Sequence, residues 1–376
     1  MLNVFDVSDA LVNHIRTHCS DDIAIIAYYG SYAQGTATKR SDLDFFFIPA
    51  TSDGYRASIQ FIVNDISFDF WPISWERAEK MALMEDSKTT IIADSCILYV
   101  RSDEDHTRFM KLREKINDMQ DPKNGQHLTE RAEALLHDVY VHLYKMRRNE
   151  ESDSLTLFRI EAYEVLTKVL ECLALLNQTF YTKGWGKNMD QIMRLPLKPA
   201  RLEMLIDAIM TAKVASKVRQ ACEELVSDTL ELVLNKKEIY TTSPSYPDRM
   251  LGYYEEVKGV LDKVVTACEK NDYSTAFYGA IGVQDQIAHF LYFAEKGHWP
   301  STLDHTMVYL DLYKELGFPN LINLLNPDDL TPLQTAIENL DDLLESHLTN
   351  HEVKVNRFAS LEEFKAFLRN KTDQLI

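Results

Sequence analysis

Apolar residues come in short uninterrupted runs over the first hundred positions and at helical spacing after that. The run IAIIAYYG (23–30) reads as a buried strand, and DLDFFFIP (42–49) as a second one ended by Pro49. In SIQFIVNDISFDFWPI (58–73) apolar and polar positions alternate on both sides of Asn64-Asp65, which predicts a hairpin turning there. CILYV (96–100) supplies a fifth strand, and residues 6–18 form an amphipathic helix ahead of them all. Strands mixed with helices within about a hundred residues predict a small α/β unit.

From about position 104 the strand signal gives way to helical periodicity. Helices are expected over 128–148, 153–178, 199–212 and 214–236, with a loop at 179–198 that holds Gly184, Gly186, Pro196 and Pro199. TTSPSYPDR (241–249) breaks the pattern, and further helices follow over 250–270, 273–296, 303–316, 331–349 and 360–374. The fold class expected is α+β: a small mixed-sheet domain over 1–105, a helical bundle over 106–240 and a second helical domain over 241–376.

Composition narrows the class of protein. The five cysteines (Cys19, Cys96, Cys172, Cys222, Cys268) are odd in number, scattered and without a CxxC pair, so neither a zinc site nor a disulfide framework is expected. The N-terminus has no apolar core flanked by basic residues, and no run of eighteen apolar residues occurs, so a cytoplasmic protein without a membrane span is expected. Net charge is -18, and residues 1–105 hold 17 acidic against 8 basic residues, half of that excess. Phosphate contacts dominate nucleic-acid affinity, and no basic stripe is visible, so nucleic acid is not an expected partner. An acidic surface suits a cationic small molecule.

Chemistry concentrates in GSYAQGTATKRSDLDFFF (30–47). A strand ends at Gly30, Ser31 opens a turn, and Asp42 and Asp44 lie two apart at the start of the next strand. Residues i and i+2 of a strand point the same way, so these two carboxylates project together while Leu43, Phe45 and Phe47 face the core. Paired carboxylates repel unless a cation lies between them, and Mg²⁺ takes one or two carboxylates plus substrate phosphates. In ISFDF (66–70), Asp69 stands alone in an apolar strand, where an unpaired buried charge is costly. If that strand neighbours 42–48, Asp69 joins the pair, and two ions clamped by shared carboxylates can drive in-line attack on a phosphate. Ser31 and the backbone N–H groups at 30–32 would grip the triphosphate at the start of a short helix.

Gly-Ser, ten residues, Asp-x-Asp and a lone strand Asp together resemble the DNA polymerase beta-type nucleotidyltransferase superfamily. The likeness is greatest to the small bacterial aminoglycoside and lincosamide nucleotidyltransferases, which join this fold to a C-terminal helical bundle. The resemblance covers residues 23–73. It implies Gly30 and Ser31 at the nucleotide phosphates, Asp42 and Asp44 as ligands to two Mg²⁺ ions, and Asp69 as third ligand at the catalytic metal. It further implies ATP or another NTP as co-substrate and a hydroxylated small molecule, such as an antibiotic, as acceptor. A protein acceptor, or nucleotide binding without transfer, are the alternatives.

Other candidates are weaker in pattern. Glu161, and beside it Glu164 in RIEAYEVL, are carboxylates of the helical part that could serve as general base, although a salt-bridged helix face explains them as well. The loop ALLNQTFYTKGWGKNMDQIMRLPLKP (174–199) carries Asn177, Tyr181, Lys183, Trp185 and Lys187, and Lys187 is the chosen candidate to reach the leaving pyrophosphate. Lys39, Arg40 and Ser41 stand next to the carboxylates as further phosphate contacts. The histidines show no metal-binding spacing, and the basic run 145–148 at a helix end complements the helix dipole.

Overall fold

Strand β1 (Ile23–Tyr29) is apolar along its whole length because it lies inside the sheet, with a neighbour on each side and both faces covered. The computed structural model describes residues 3–39, 41–149, 154–184 and 186–372. β1 pairs antiparallel with β2 (Asp44–Pro49), and β2 pairs parallel with β4 (Ile66–Pro72). β3 (Ile59–Val63) is the antiparallel edge strand beside β4, and β5 (Cys96–Val100) closes the other edge against β1. The order is β3-β4-β2-β1-β5, a mixed five-stranded sheet. Asn64 and Asp65, at φ 49° and 59°, make the two-residue β3–β4 turn, since positive φ at both positions matches the twist of a hairpin.

The register sorts the aromatics by face. Phe45 and Phe47 pack with Phe68 and Phe70 beneath helix α1 (Val4–His18), whose Val4, Val12 and Ile15 complete that core. Phe46 and Ile48 point the other way and are equally buried. α2 (Trp75–Ala82) and α3 (Thr89–Ala93) pack on α4 (Asp103–Met119), which lies against β1 and β5. Ser74 and Ser102 cap α2 and α4 by accepting the N–H of Arg77 and Asp105.

Past α4 the chain is helical. α5 (Gly125–His137) and α6 (Tyr140–Arg148) replace the single helix expected over 128–148, parted at Asp138-Val139. Both pack on α7 (Leu155–Leu176), whose last turns, Cys172 to Leu176, are fully buried, so α7 is the central helix. Short α8 (Met189–Met193), α9 (Leu202–Thr211) and α10 (Ala215–Glu238) follow. The chain forms two compact units, Met1–Lys236 and Lys237–Ile376.

The second unit holds α11 (Tyr246–Arg249), α12 (Tyr253–Glu269), α13 (Tyr273–Lys296), α14 (Val308–Glu315), α15 (Thr331–Asn350) and α16 (Leu361–Thr372). α12 packs on α13 and α15 through Val257, Leu261, Val264, Val283, Ile287, Ile337, Leu340 and Leu344. Gly279 permits the close approach of α13, since a Cβ there would come within 2.5 Å of Val264. No helix among the described residues is long and apolar enough to cross a membrane.

Candidate active site at the end of the sheet

The sheet ends in a turn built around two close approaches. Gly30 follows β1 with φ +75°, and a Cβ on it would fall 2.3 Å from Asp44 Oδ2, so only glycine lets that carboxylate lie against the backbone. Residues 30–35 then fold into one tight turn, Gln34 N–H donating to Gly30 O at 3.0 Å and Thr36 N–H to Ser31 O at 2.8 Å. The expected short helix is therefore only a turn. Backbone N–H groups, rather than a helix dipole, are what Gly30 and Ser31 can offer a phosphate.

Asp44 opens β2 opposite Tyr29 of β1, and Asp42 lies in the lead-in, anchored by the fully buried Leu43. The strand thus starts two residues later than its sequence pattern suggests. In the parallel β2–β4 pair Phe45 stands against Phe70, which brings Asp69 level with Asp44 on the same face. Asp69 is not the buried carboxylate that its apolar strand implies. It is exposed, on the face of β4 opposite the buried Phe68 and Phe70, and Gln60 Nε2 donates to its Oδ1 at 2.7 Å.

The charge cost falls on Asp44 instead. Burial pushes its carboxyl up to about 6, with Asp42 and then Asp69 adding to the rise. Tyr29 is raised to about 12 by burial and by Asp44 first among the three carboxylates, against the opposing hydrogen bond from Trp71 Nε1 at 3.2 Å. The Trp71 ring in turn lies under Arg77 at 5.3 Å and Lys88 at 5.5 Å. Oxygen-only donors that repel one another fit a hard divalent cation such as Mg²⁺. Among the described residues no three His, Cys, Asp or Glu side chains are grouped as a metal would need, and Asp69 is turned to Gln60.

The other candidates scatter. Ser41 closes its own turn, its hydroxyl accepting the Thr38 N–H at 2.8 Å. Lys39 is exposed, and Arg40 and Trp185 lie outside the described residues. Glu161 joins α7 to α6 through His142 Nδ1 at 2.7 Å and Lys145 at 3.3 Å, and no hydrogen bond or ion pair among the described residues ties it to the aspartates. The 177–197 loop is knit together. Asn177 bonds Leu197 in both directions, and Gln191 of α8 holds Phe180 and Thr182. Thr182 O accepts from Gln34 of the 30–35 turn and from Thr90 of α3 at 3.3 Å. That places Lys183, the next residue, nearer the turn along the chain than Lys187, which is also exposed.

Sequence reasoning passed over Glu171. It is a half-buried carboxyl on α7, raised by burial, with the Ser87 hydrogen bond and Lys168 opposing the rise and Asp86 adding to it. Asp86 bonds Arg77 Nε at 3.0 Å, which links this carboxyl to the segment around Trp71. The signal was available, since Glu171 is the lone charge in the apolar run 169–176.

A mixed sheet with three aspartates and a glycine turn at one end is followed along the chain by helices. Residues 106–239 match the family described as KNTase C-terminal domain, which stands for kanamycin nucleotidyltransferase. Among solved structures the chain is similar to a nucleotidyltransferase-like protein from Exiguobacterium sibiricum 255-15, at 10% identity over 61% of this chain and 76% of that one, with a TM-score of 0.36. No curated protein matches the sequence.

Proposed function

We propose that the protein transfers a nucleoside monophosphate from an NTP, with ATP the first to test, to a hydroxyl of a cationic small molecule of the aminoglycoside kind. The observation that carries this reading is Asp44, pressed against Gly30 and raised to about 6 in the company of Asp42 and Asp69. Such a perturbed acid beside two further carboxylates at the end of a sheet supports reading it as a functional site rather than a structural ion pair.

Asp42, Asp44 and Asp69 would hold the divalent cations, which when bound supply charge neutralisation on the triphosphate and polarise the phosphate under attack. The turn at 30–35 presents its backbone N–H groups to the phosphates, and Gly30 keeps the approach open. Lys183 and Lys187 bring positive charge to the leaving pyrophosphate from the loop that Gln34 tethers to the turn. Glu171, a half-buried carboxyl on α7, would serve as the base that takes the proton from the acceptor hydroxyl. Asp86, Asp94 and Glu171 on the surrounding segments favour an amine-bearing acceptor.

The test is a pyrophosphate-release screen of several NTPs against hydroxylated amines, with intact-mass analysis of the acceptors and of the protein. A nucleotide adduct on a small amine supports the assignment. An adduct on protein alone, or NTP binding with no release across the panel, removes it.

A further inference from the structure

We propose that the end of α15 carries a pH-sensitive latch: neutral His347 seats Tyr246 of α11 in the core of the second unit, and protonation of His347 releases α11. The latch is a cluster of three rings. Tyr246, 2% exposed, stacks on His351 at 4.2 Å with the rings 28° apart, and meets the edge of His347 at 5.1 Å. His347 lies in the last turn of α15 and His351 at its C-cap, with their ring centroids 4.4 Å apart. Phe318 meets His347 edge-on at 5.4 Å. The segment leading into α11 is tied to α13, since the Thr242 and Ser245 N–H groups donate to Lys296 O and Ala294 O. α11 meets α15 through the rings.

Hydrogen bonding fixes where the protons are. The single proton of the Tyr246 hydroxyl goes to Glu295 Oε1 at 2.7 Å, so His347 Nε2, 3.0 Å from the same oxygen, must carry a proton and donate it. A neutral imidazole has then spent its one N–H, and Nδ1 has no hydrogen-bond partner among the described residues. A second proton goes to Nδ1, which puts an unpartnered donor and a charge into a half-buried setting of rings. Its neighbours offer little compensation. His351 commits its Nδ1 to His347 O at 2.8 Å, and behind Phe318 the Tyr313 hydroxyl of α14 is spent on Pro319 O at 2.8 Å. Other charges nearby along these helices turn elsewhere: Arg249 of α11 to Ala294 O, Lys296 of α13 to Glu238, and Glu345 of α15 to Arg357. Burial first, and then His351, hold the His347 imidazole below its ordinary 6.5, against the pull of Glu295. A group lowered in this way lends stability that is complete above pH 6.5 and is lost as pH falls below it.

Hydrogen exchange of the full chain tests the latch, read peptide by peptide between about pH 7.5 and 5.5 and corrected for the intrinsic pH dependence of exchange. Peptides spanning 241–252 should lose protection by up to about tenfold per pH unit, the limit for uptake of one proton, while those of α12 keep theirs. The loss should follow the titration of the His347 ring resonances. His347→Gln, which keeps an N–H donor and cannot titrate, should hold the protection of 241–252 level across the range. The latch is overturned if wild-type 241–252 is equally protected at both ends of the range, or if α12 loses protection in parallel. These two outcomes need no variant, so they decide the matter even where His347→Gln folds poorly. A folded His347→Gln with the pH dependence of the wild type would overturn it as well.

Discussion

In the unit Lys237–Ile376, carboxylates at the edge of the core are met by tyrosine hydroxyls. Tyr246 donates to Glu295 at 2.7 Å, Tyr254 to Asp341 at 2.9 Å and Glu345 at 3.2 Å, and Tyr309 to Asp285 at 2.9 Å. Burial drives the Tyr246 and Tyr254 hydroxyls far up, so they remain donors at any pH the fold survives. At the end of the sheet in the other unit, Asp44 faces two further carboxylates and a tyrosine whose hydroxyl is already engaged by Trp71. Electrostatics in the helical unit are resolved within the chain. Among the described residues no ion pair meets the aspartates at the sheet end, and an open charge balance invites a ligand to close it.

The comparison can be broken at several points. The largest expected effect is on catalysis: Asp42→Asn should lower pyrophosphate release by at least about 10³-fold with circular dichroism unchanged, as losing several kcal/mol of charge stabilisation requires. Substantial turnover in this variant would leave the aspartates as mere surface charge. Glu171→Gln should lower kcat by about 10²-fold or more and remove the acidic limb of the pH profile, whereas Glu161→Gln should leave that profile intact. An unaltered profile in Glu171→Gln would make the residue structural.

In the helical unit the expected change is in stability alone. Tyr246→Phe takes the donor from Glu295 and the partner from His347 Nε2, which lies 3.0 Å away, and should cost about 1–3 kcal/mol in thermal melts without changing turnover.

The smallest effect has the opposite sign. Asp44 is raised from its ordinary 3.8 to about 6, so the fold favours its protonated form. The stability it lends is complete below its unfolded value and is lost as pH rises through about 6. Without added divalent ion, Asp44→Asn should therefore melt higher than wild type at pH 7.5. The expected gain is about 1–2 kcal/mol, after discounting for solvent screening of a partly exposed group, and it should vanish near pH 4. Millimolar Mg²⁺ should raise the wild-type melting temperature and erase the difference. A variant that melts lower at pH 7.5 would mean that the three charges are already compensated within the chain.

Much of the site was legible because it depends on local rules. Alternation along DLDFFF sets Asp44 against the core-facing phenylalanines, and the Asn64-Asp65 turn fixes the hairpin from two residues. Most of the long helices followed from their apolar stripes, whereas α4 (Asp103–Met119) was not among those expected, nor were short ones such as α2, α3 and α11, whose few turns give no clear period. Glu161 drew attention through a position on an amphipathic helix, yet its partners His142 and Lys145 belong to another helix and are invisible in its own segment.

The sequence by itself determined which side chains could converge, because strand period, turn chemistry and glycine's conformational freedom act over a few residues. Tertiary structure alone decided which carboxylate bears the burial. Strand order leaves Asp69 beside an edge and buries Asp44 against Gly30, and strand order is set by pairings distant along the chain. The same holds for Gln34, Thr90 and Thr182, which meet only once helix and sheet have packed, and for Glu171, whose environment is made by segments some eighty residues away. Burial and charge coupling depend on distance in space, and no local pattern encodes that.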